Sequence, residues 1–505
     1  MDDNSKYYKK VNKYLLIFLA AIFFTYFCYM IMYTNYYIGH DGSRFRNFDV
    51  TRDIVSGRFF GTYSKALHNF LQAPWMVGFI SSCFMGLASV YLVKTLRIRS
   101  MFWACAIVCC MISWPSYIAG HNFLYMLSQF SVAIFTSILS AYFLEKEKWG
   151  IVLSIAFLVI SLGNYQAYIG FTACLFLIRI IEKCYSGEDL KSLFIYILKA
   201  LFVLIAGVAV YFLLWQTILN INGLERQSYR QMDRPVKVLI KEAIYGIKDV
   251  YLYVWHWFTD DPPSYFPKFL NNAALVLYAV LAIVILIVTV KRTKGLWPKI
   301  LRLLILLGTF GVLPIAMDGA HFIDPGLEPH ALMMGAMITP LFLLVVFMDK
   351  ITDRGKIYRR AFSYIVAGLV CAFIINDMIV ANTLFLRFRA NQYRAESELA
   401  GVIARINAEP DYHLDTPVAF VRGKTNSSQS IVHDGFECLD DFPGVYFSIT
   451  TVNSLKYQVL EMVPKLNIVS ADPYTGMKEV KALEEYPAHN CLTWIDGTLV
   501  IKIPR

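Results

Sequence analysis

Long apolar runs separated by short polar ones dominate the first three quarters of the chain. Runs of about 15 to 27 apolar residues, most of them enough to cross roughly 30 Å of hydrocarbon at 1.5 Å per residue, lie near 14–33, 73–93, 101–118, 122–143, 149–163, 165–181, 193–219, 271–290, 299–317, 331–348 and 361–382. They predict about eleven membrane helices, with Gly163 and Asn164 leaving almost no loop between the fifth and sixth. After Asn382 the apolar runs shorten and charge, Pro and Gly return. RFRANQYRAESELAGVIARINAE reads as an amphipathic helix; PVAFVRG, GVYFSITTV, CLTWI and TLVIKI read as strands, the last two a hairpin with Asp496-Gly497 at a type I′ turn. The expected fold is therefore an all-α polytopic membrane domain over residues 1–382, followed by a small extracytoplasmic α/β domain over 383–505.

Charge sets the expected orientation. Lys6, Lys9, Lys10 and Lys13, then Lys94, Arg97 and Arg99, Lys146 and Lys148, Lys183 and Lys191, Lys291, Arg292 and Lys294, and the group Lys350 to Arg360 all fall on alternate connections. These are the cytoplasmic loops by the positive-inside rule, while the opposite short loops 114–121 and 318–330 hold no Lys or Arg. The N-terminus is then cytoplasmic, and an odd number of spans puts the tail outside. A net charge of +10 distributed this way is a topology signal, and no nucleic-acid partner is implied. With 57% hydrophobic and 17% charged residues, a soluble enzyme and a disordered chain are both excluded. The first apolar run is as long as a bilayer is thick and no small-residue cleavage site follows it, so it reads as a retained span. Most cysteines sit inside apolar runs as small hydrophobes, and no CxxC pair occurs. Cys438 and Cys491 in the tail form either a disulfide or two free thiols.

Candidate chemistry concentrates in the first outer loop, Tyr36 to Trp75. Asp41 follows the first span closely, at headgroup depth, with Arg44, Arg46, Arg52 and Arg58 after it and Asp49 and Asp53 between them. A carboxylate there can take a proton from an acceptor hydroxyl, and guanidinium forks can hold a departing phosphate. Asp49, Arg52 and Asp53 also fit helix-face ion pairs, and His40-Asp41-Gly42 also fits a plain turn.

The N-terminal span, the Asp-containing loop running into SGRFFG, and the span LQAPWMVGFISSCFMGLASVYLVKTL resemble the bacteriophage-type and bacterial Gtr glucosyltransferases that decorate O-antigen, which are similar to the wider GT-C class of membrane glycosyltransferases. The likeness covers the membrane region in architecture and is specific over residues 36–96. It implies a multi-pass protein of the bacterial inner membrane with its tail in the periplasm. It also implies transfer of glucose from undecaprenyl-phosphate-glucose to a lipid-linked polysaccharide, with an acid of the first outer loop as base. Asp41 is the matching position. Many family members carry two adjacent acids there, whereas this chain has His40-Asp41, which keeps Asp49 and Asp53 as alternatives. No nucleotide-binding loop is found, and VRGKTNSS has Val418 where a phosphate loop needs its first Gly. No cofactor is expected.

Other outer features add candidates. MDGAHFIDPGLEPH offers Asp318, His321, Asp324, Glu328 and His330, either for a divalent cation or, as a solvated loop, for sugar hydroxyls. Asp377 lies within the last span, either as a functional intramembrane acid or snorkelling beside Asn376. Arg226, Arg230, Arg234 and Lys237 belong to an interfacial helix facing lipid phosphate, and Asp260-Asp261 before two prolines ends a helix. Asn164, Tyr165 and Gln166 are placed at the same outer cavity. The rival functions are a transporter or flippase for a lipid-linked glycan and an O-antigen polymerase or ligase.

Overall fold

The computed structural model describes residues 2–35, 50–71, 73–226, 238, 241, 244–259, 265–319, 330–352, 357–424 and 466–504. Its helices follow the apolar runs. The order is α1 (Asp2–Thr34), two short helices α2 (Val50–Val55) and α3 (Gly61–Ala66), then α4 (Pro74–Thr95), α5 (Met101–Ser113), α6 (Pro115–His121), α7 (Leu127–Leu144), α8 (Gly150–Asn164), α9 (Ile169–Ser186) and α10 (Leu190–Asn222). After these come α11 (Ile247–Thr259), α12 (Lys268–Arg292), α13 (Leu296–Met317), α14 (Thr339–Thr352) and α15 (Ile357–Asn407). The chain falls into two compact units, one within Met1–Thr34 and Asp49–Asn382 and the other within Thr383–Phe436 and Pro443–Arg505.

Seven helices among the described residues are long and apolar enough to cross a bilayer, or eight if the bent pair α5–α6 is one span. This is a membrane protein. The remaining expected spans correspond to α8, which is apolar but only 15 residues long, to α9, which carries Arg179, Glu182 and Lys183, and to α14, of 14 residues.

Local sequence explains where helices stop. The run 101–118, expected as one span, breaks at Trp114 with a 47° bend. Pro115 supplies no N–H to the preceding turn and is well placed as the first residue of a new helix. The Trp114 indole then donates to the Met334 carbonyl at 3.0 Å, tying the bend to the turn before α14. Inside the first unit, α7 packs against both α4 and α8. Small hydroxyl residues line the α7–α8 contact, where Ser137 and Ser161 meet at 2.8 Å and Ser154 donates to the Ser140 carbonyl at 2.8 Å, so these polar groups are satisfied in an apolar setting.

The second unit holds a three-stranded sheet, β1 (Val418–Arg422), β2 (Leu492–Ile495) and β3 (Thr498–Ile503), in the order β1-β3-β2. β1 runs parallel to β3, and β2 pairs with β3 antiparallel with Ile495 opposite Thr498. Asp496 and Gly497 both have positive φ, 47° and 76°, as a two-residue type I′ hairpin needs. One face of the sheet buries Val418, Phe420, Leu499 and Ile501 against Leu399, Val402 and Ile406 of α15. The other buries Ala419, Val421 and Val500 against Val480 of a short helix, α16 (Lys478–Ala482). The expected strand GVYFSITTV and Cys438 lie outside the described residues, and Cys491 is buried.

Candidate functional site

Of the residues singled out in the first outer loop, Asp41, Arg44, Arg46 and Asp49 lie outside the described residues, as do His321, Asp324, Glu328, Arg230, Arg234, Lys237, Asp260 and Asp261. The second half of that loop, 50–71, is described and is folded down onto the ends of α7, α8 and α10.

Two glycines allow that descent. Gly57 has φ of 75°, and a Cβ there would collide with the Tyr211 hydroxyl. Gly163, near the end of α8, leaves room for the Phe60 ring and accepts the Phe60 N–H at 2.8 Å. Side chains complete the fixing. Trp215 donates its indole N–H to the Ile54 carbonyl at 2.7 Å, the Tyr211 hydroxyl donates to the Gly57 carbonyl at 3.1 Å, and the Gln166 amide donates to the Ser56 carbonyl at 2.8 Å. Ser64 donates to Asn164 Oδ1 at 2.6 Å. Asn164 and Gln166 therefore do meet the first outer loop, as anchors for its backbone and side chains.

Arg58 sits at the centre of this arrangement. Its backbone N–H donates to the Asp53 carbonyl at 2.8 Å, and its guanidinium carbon lies 5.1 Å over the Tyr165 ring. That stacking holds the group flat while leaving its edge usable. Its Nε is buried with no hydrogen-bond partner among the described residues, an unusual state for a cationic donor. A half-buried, pre-oriented guanidinium with a spare N–H fits an anionic oxygen such as that of a phosphate.

Asp53 is in an ion pair, but with a residue of the next short helix and not with one on its own helix face. It is 8% exposed, and the carboxylate meets Lys65 Nζ at 2.6 Å, across from one short helix to the next. Burial pushes the Lys65 ammonium below its ordinary value, and the adjacent Asp53 charge opposes that. Arg52, by contrast, is exposed. His68 is also buried, and burial lowers its pKa. Its Nδ1 lies 2.8 Å from the Leu71 carbonyl, which can only accept, so Nδ1 carries the proton and Nε2 accepts from the Ser128 hydroxyl at 3.0 Å. Both ring nitrogens are engaged, and the ring holds structure in place. Neither Lys65 nor His68 gave a signal in the sequence, since each stands alone in YSKALHNFL with no partner at helical spacing.

The loop after α13 also departs from expectation. Asp318 is fully buried, not part of a solvated loop. The cause is a close backbone approach: Gly170, in the first turn of α9, has no Cβ, and one added there would strike the Ala316 carbonyl. This lets the end of α13 settle against α9. His330 is half-buried and stands just before a short 3₁₀ turn, where its carbonyl accepts the Met333 N–H at 2.9 Å. Among the described residues no group of three His, Cys, Asp or Glu is placed to hold a metal ion.

Asp377 does not snorkel. It is 1% exposed, with Ser113 at the α5–α6 break and Asn376 as its near polar neighbours, while Asn376 donates to the Tyr265 carbonyl at 2.9 Å. Tyr29 interacts electrostatically with it and stacks on His121 with ring centroids 3.6 Å apart. Arg226 donates to Gln216 at 2.9 Å and covers the Trp215 ring at 4.9 Å, next to the side chains that anchor the loop.

Comparison with known proteins adds one finding: the model of the family described as Glucosyl transferase GtrII matches residues 29–375, well over half of the chain. No curated protein and no solved structure matches.

Proposed function

The chain belongs to the glucosyl transferase GtrII family, and on that premise we propose that it moves a glucosyl residue from undecaprenyl-phosphate-glucose to O-antigen or a related lipid-linked polysaccharide on the periplasmic face of the inner membrane. The single observation that carries this reading is the family match, which takes in the whole first outer loop. The stacked, part-satisfied Arg58 guanidinium at that loop supports it.

In this reading Asp41 takes the proton from the acceptor hydroxyl as its oxygen attacks the anomeric carbon. The bond from that carbon to the phosphate oxygen breaks, and undecaprenyl phosphate leaves onto Arg44, Arg46 and Arg58. One base and direct displacement give inversion at the sugar. His321 and His330 are the acceptor contacts of this reading, with the fully buried Asp318 behind them, and the reaction is proposed to need no metal or cofactor. The eleven-span topology, with a cytoplasmic N-terminus and a periplasmic tail, belongs to the same proposal, because a lipid phosphate presents its sugar at the outer headgroup layer.

Purified Asp41→Asn protein assayed with lipid-linked glucose tests the base. Loss of transfer by about a hundredfold or more is expected for removal of a general base, and near-normal turnover would take Asp41 out of the mechanism.

A further inference from the structure

At the end of the first unit opposite the 50–71 segment, a cavity of about 470 Å³ lies between the turn after α4, the last turns of α9, and the ends of α12 and α14. α9 sets the separation: Ile169 stands beside Tyr165 and Tyr168, whereas Arg179 and Lys183 line the cavity, the latter roughly 20 Å further along the helix axis.

Six cations, Arg97, Arg99, Arg179, Lys183, Arg292 and Lys350, surround this space. Among the described residues the carboxylates that answer them are fewer, with Asp349 accepting from the backbone N–H of Arg99 at 2.9 Å. Glu145 meets Arg97 at 2.6 Å and Arg179 at 2.8 Å, Glu182 is shared by Arg179 and Lys350, and Glu188 meets Lys183 at 2.8 Å. Arg292 meets no carboxylate among the described residues: its Nη1 donates to the Tyr185 carbonyl at 3.2 Å and its guanidinium lies 4.6 Å over the Tyr185 ring. Arg302 of α13 is 5% exposed and donates to the Glu188 carbonyl, while its Nε and Nη1 have no hydrogen-bond partner among the described residues.

Basic residues at this end are expected from topology, and that alone would need only charges in the polar flanks. It does not call for guanidinium groups drawn from three separate segments around one concavity, nor for a buried arginine with two spare donors, itself bonded to the backbone of Glu188 in the cavity wall, since buried cations are costly unless paired. We propose that this cavity is a phosphate-binding site, separate from the glycosyl-transfer site, that takes a phosphate ester carried either on an anionic lipid headgroup or free in solution. Arg292 and Arg97 supply the accessible donors, and the Glu182–Arg179–Lys350 cluster holds the wall in place. Forked N–H groups suit tetrahedral oxyanions, and an excess of cations favours a multiply charged one.

The test uses the purified full chain in an uncharged maltoside detergent, with binding of inorganic pyrophosphate and of short-chain phosphatidylglycerol measured by calorimetry. At least one probe is expected to bind. Its affinity should fall about tenfold or more in Arg292→Gln, the scale of one lost charge-assisted hydrogen bond, and substantially less in Arg292→Lys. Arg97→Gln, on a side chain 55% exposed, gives a second reading from the outer edge of the cavity. Binding of pyrophosphate alone assigns a soluble phosphate, and binding of the lipid alone assigns a headgroup. If neither probe binds, or if both glutamine variants bind as tightly as the parent, the cavity is a topology feature only and the proposal is overturned.

Discussion

Arg58 and His68 are both partly or wholly buried in the same loop, yet they have opposite capacities. Arg58 keeps an uncommitted N–H and a stacked face, so its contribution rests on geometry as well as charge. Arg58→Lys preserves the charge but loses the planar fork, and transfer from lipid-linked glucose should drop by about tenfold or more, chiefly through a higher KM. A lysine variant with parental kinetics would remove Arg58 from the phosphate contacts. His68 is committed at both nitrogens and acts on stability. Its folded-state pKa lies below the ordinary 6.5, so as pH falls the unfolded chain takes up the proton first. Its stabilising contribution is therefore whole above about pH 6.5 and declines below it. Thermal unfolding in detergent should show a midpoint that falls between pH 6.5 and 5, and His68→Gln should flatten that slope.

The elements themselves were largely legible in the sequence, because apolar length and periodicity are local properties. The runs gave the places of α1, α4, α7, α10, α12 and α13, and Asp496-Gly497 gave the β2–β3 hairpin. What escaped depends on contacts between elements. Trp114-Pro115 stood within a run taken as one span and turned out to be a bend. Lys65 is twelve residues from Asp53, on a different short helix, and nothing in the spacing announces their pairing. Asp318 reads as part of the acidic loop that follows it, but the glycine contact with α9 that buries it is tertiary. The candidate site was legible as a loop and hidden as an arrangement. Its seat on α8 is the part most open to test. Gly163→Val would drive a side chain into the Phe60 ring and should cost about 1–3 kcal/mol by overpacking. The loop 50–71 should then become more sensitive to trypsin at Arg58 and transfer should fall. Unchanged cleavage would show that the loop is held by other means.

On the scale of the whole molecule, the family match and the apolar helices fix the class: a membrane-embedded glucosyl transferase whose membrane unit and sheet-bearing unit each have a core. The resemblance drawn from the N-terminal span and SGRFFG is borne out by that match. Within the membrane unit, buried hydroxyls and amides satisfied by one another, such as Ser137 with Ser161, give the helices a fixed register without relying on water.

One dimension of α10 carries a consequence for its surroundings. At 33 residues it is roughly 50 Å long, against roughly 30 Å of hydrocarbon. Tyr211 and Trp215, which pin the 50–71 segment, fall roughly 32 and 38 Å from its start, just beyond one hydrocarbon thickness along the helix. Lipid thickness thereby acts as a ruler: under the proposed reaction, it sets how high the guanidinium of Arg58 rides relative to a lipid-borne donor. Reconstituted into monounsaturated phosphatidylcholine vesicles of graded chain length, the enzyme should show peak turnover at an intermediate length and several-fold lower rates in the thinnest and thickest, because tilt absorbs only part of the misfit. A flat response across the series would mean that loop and donor rise and sink together.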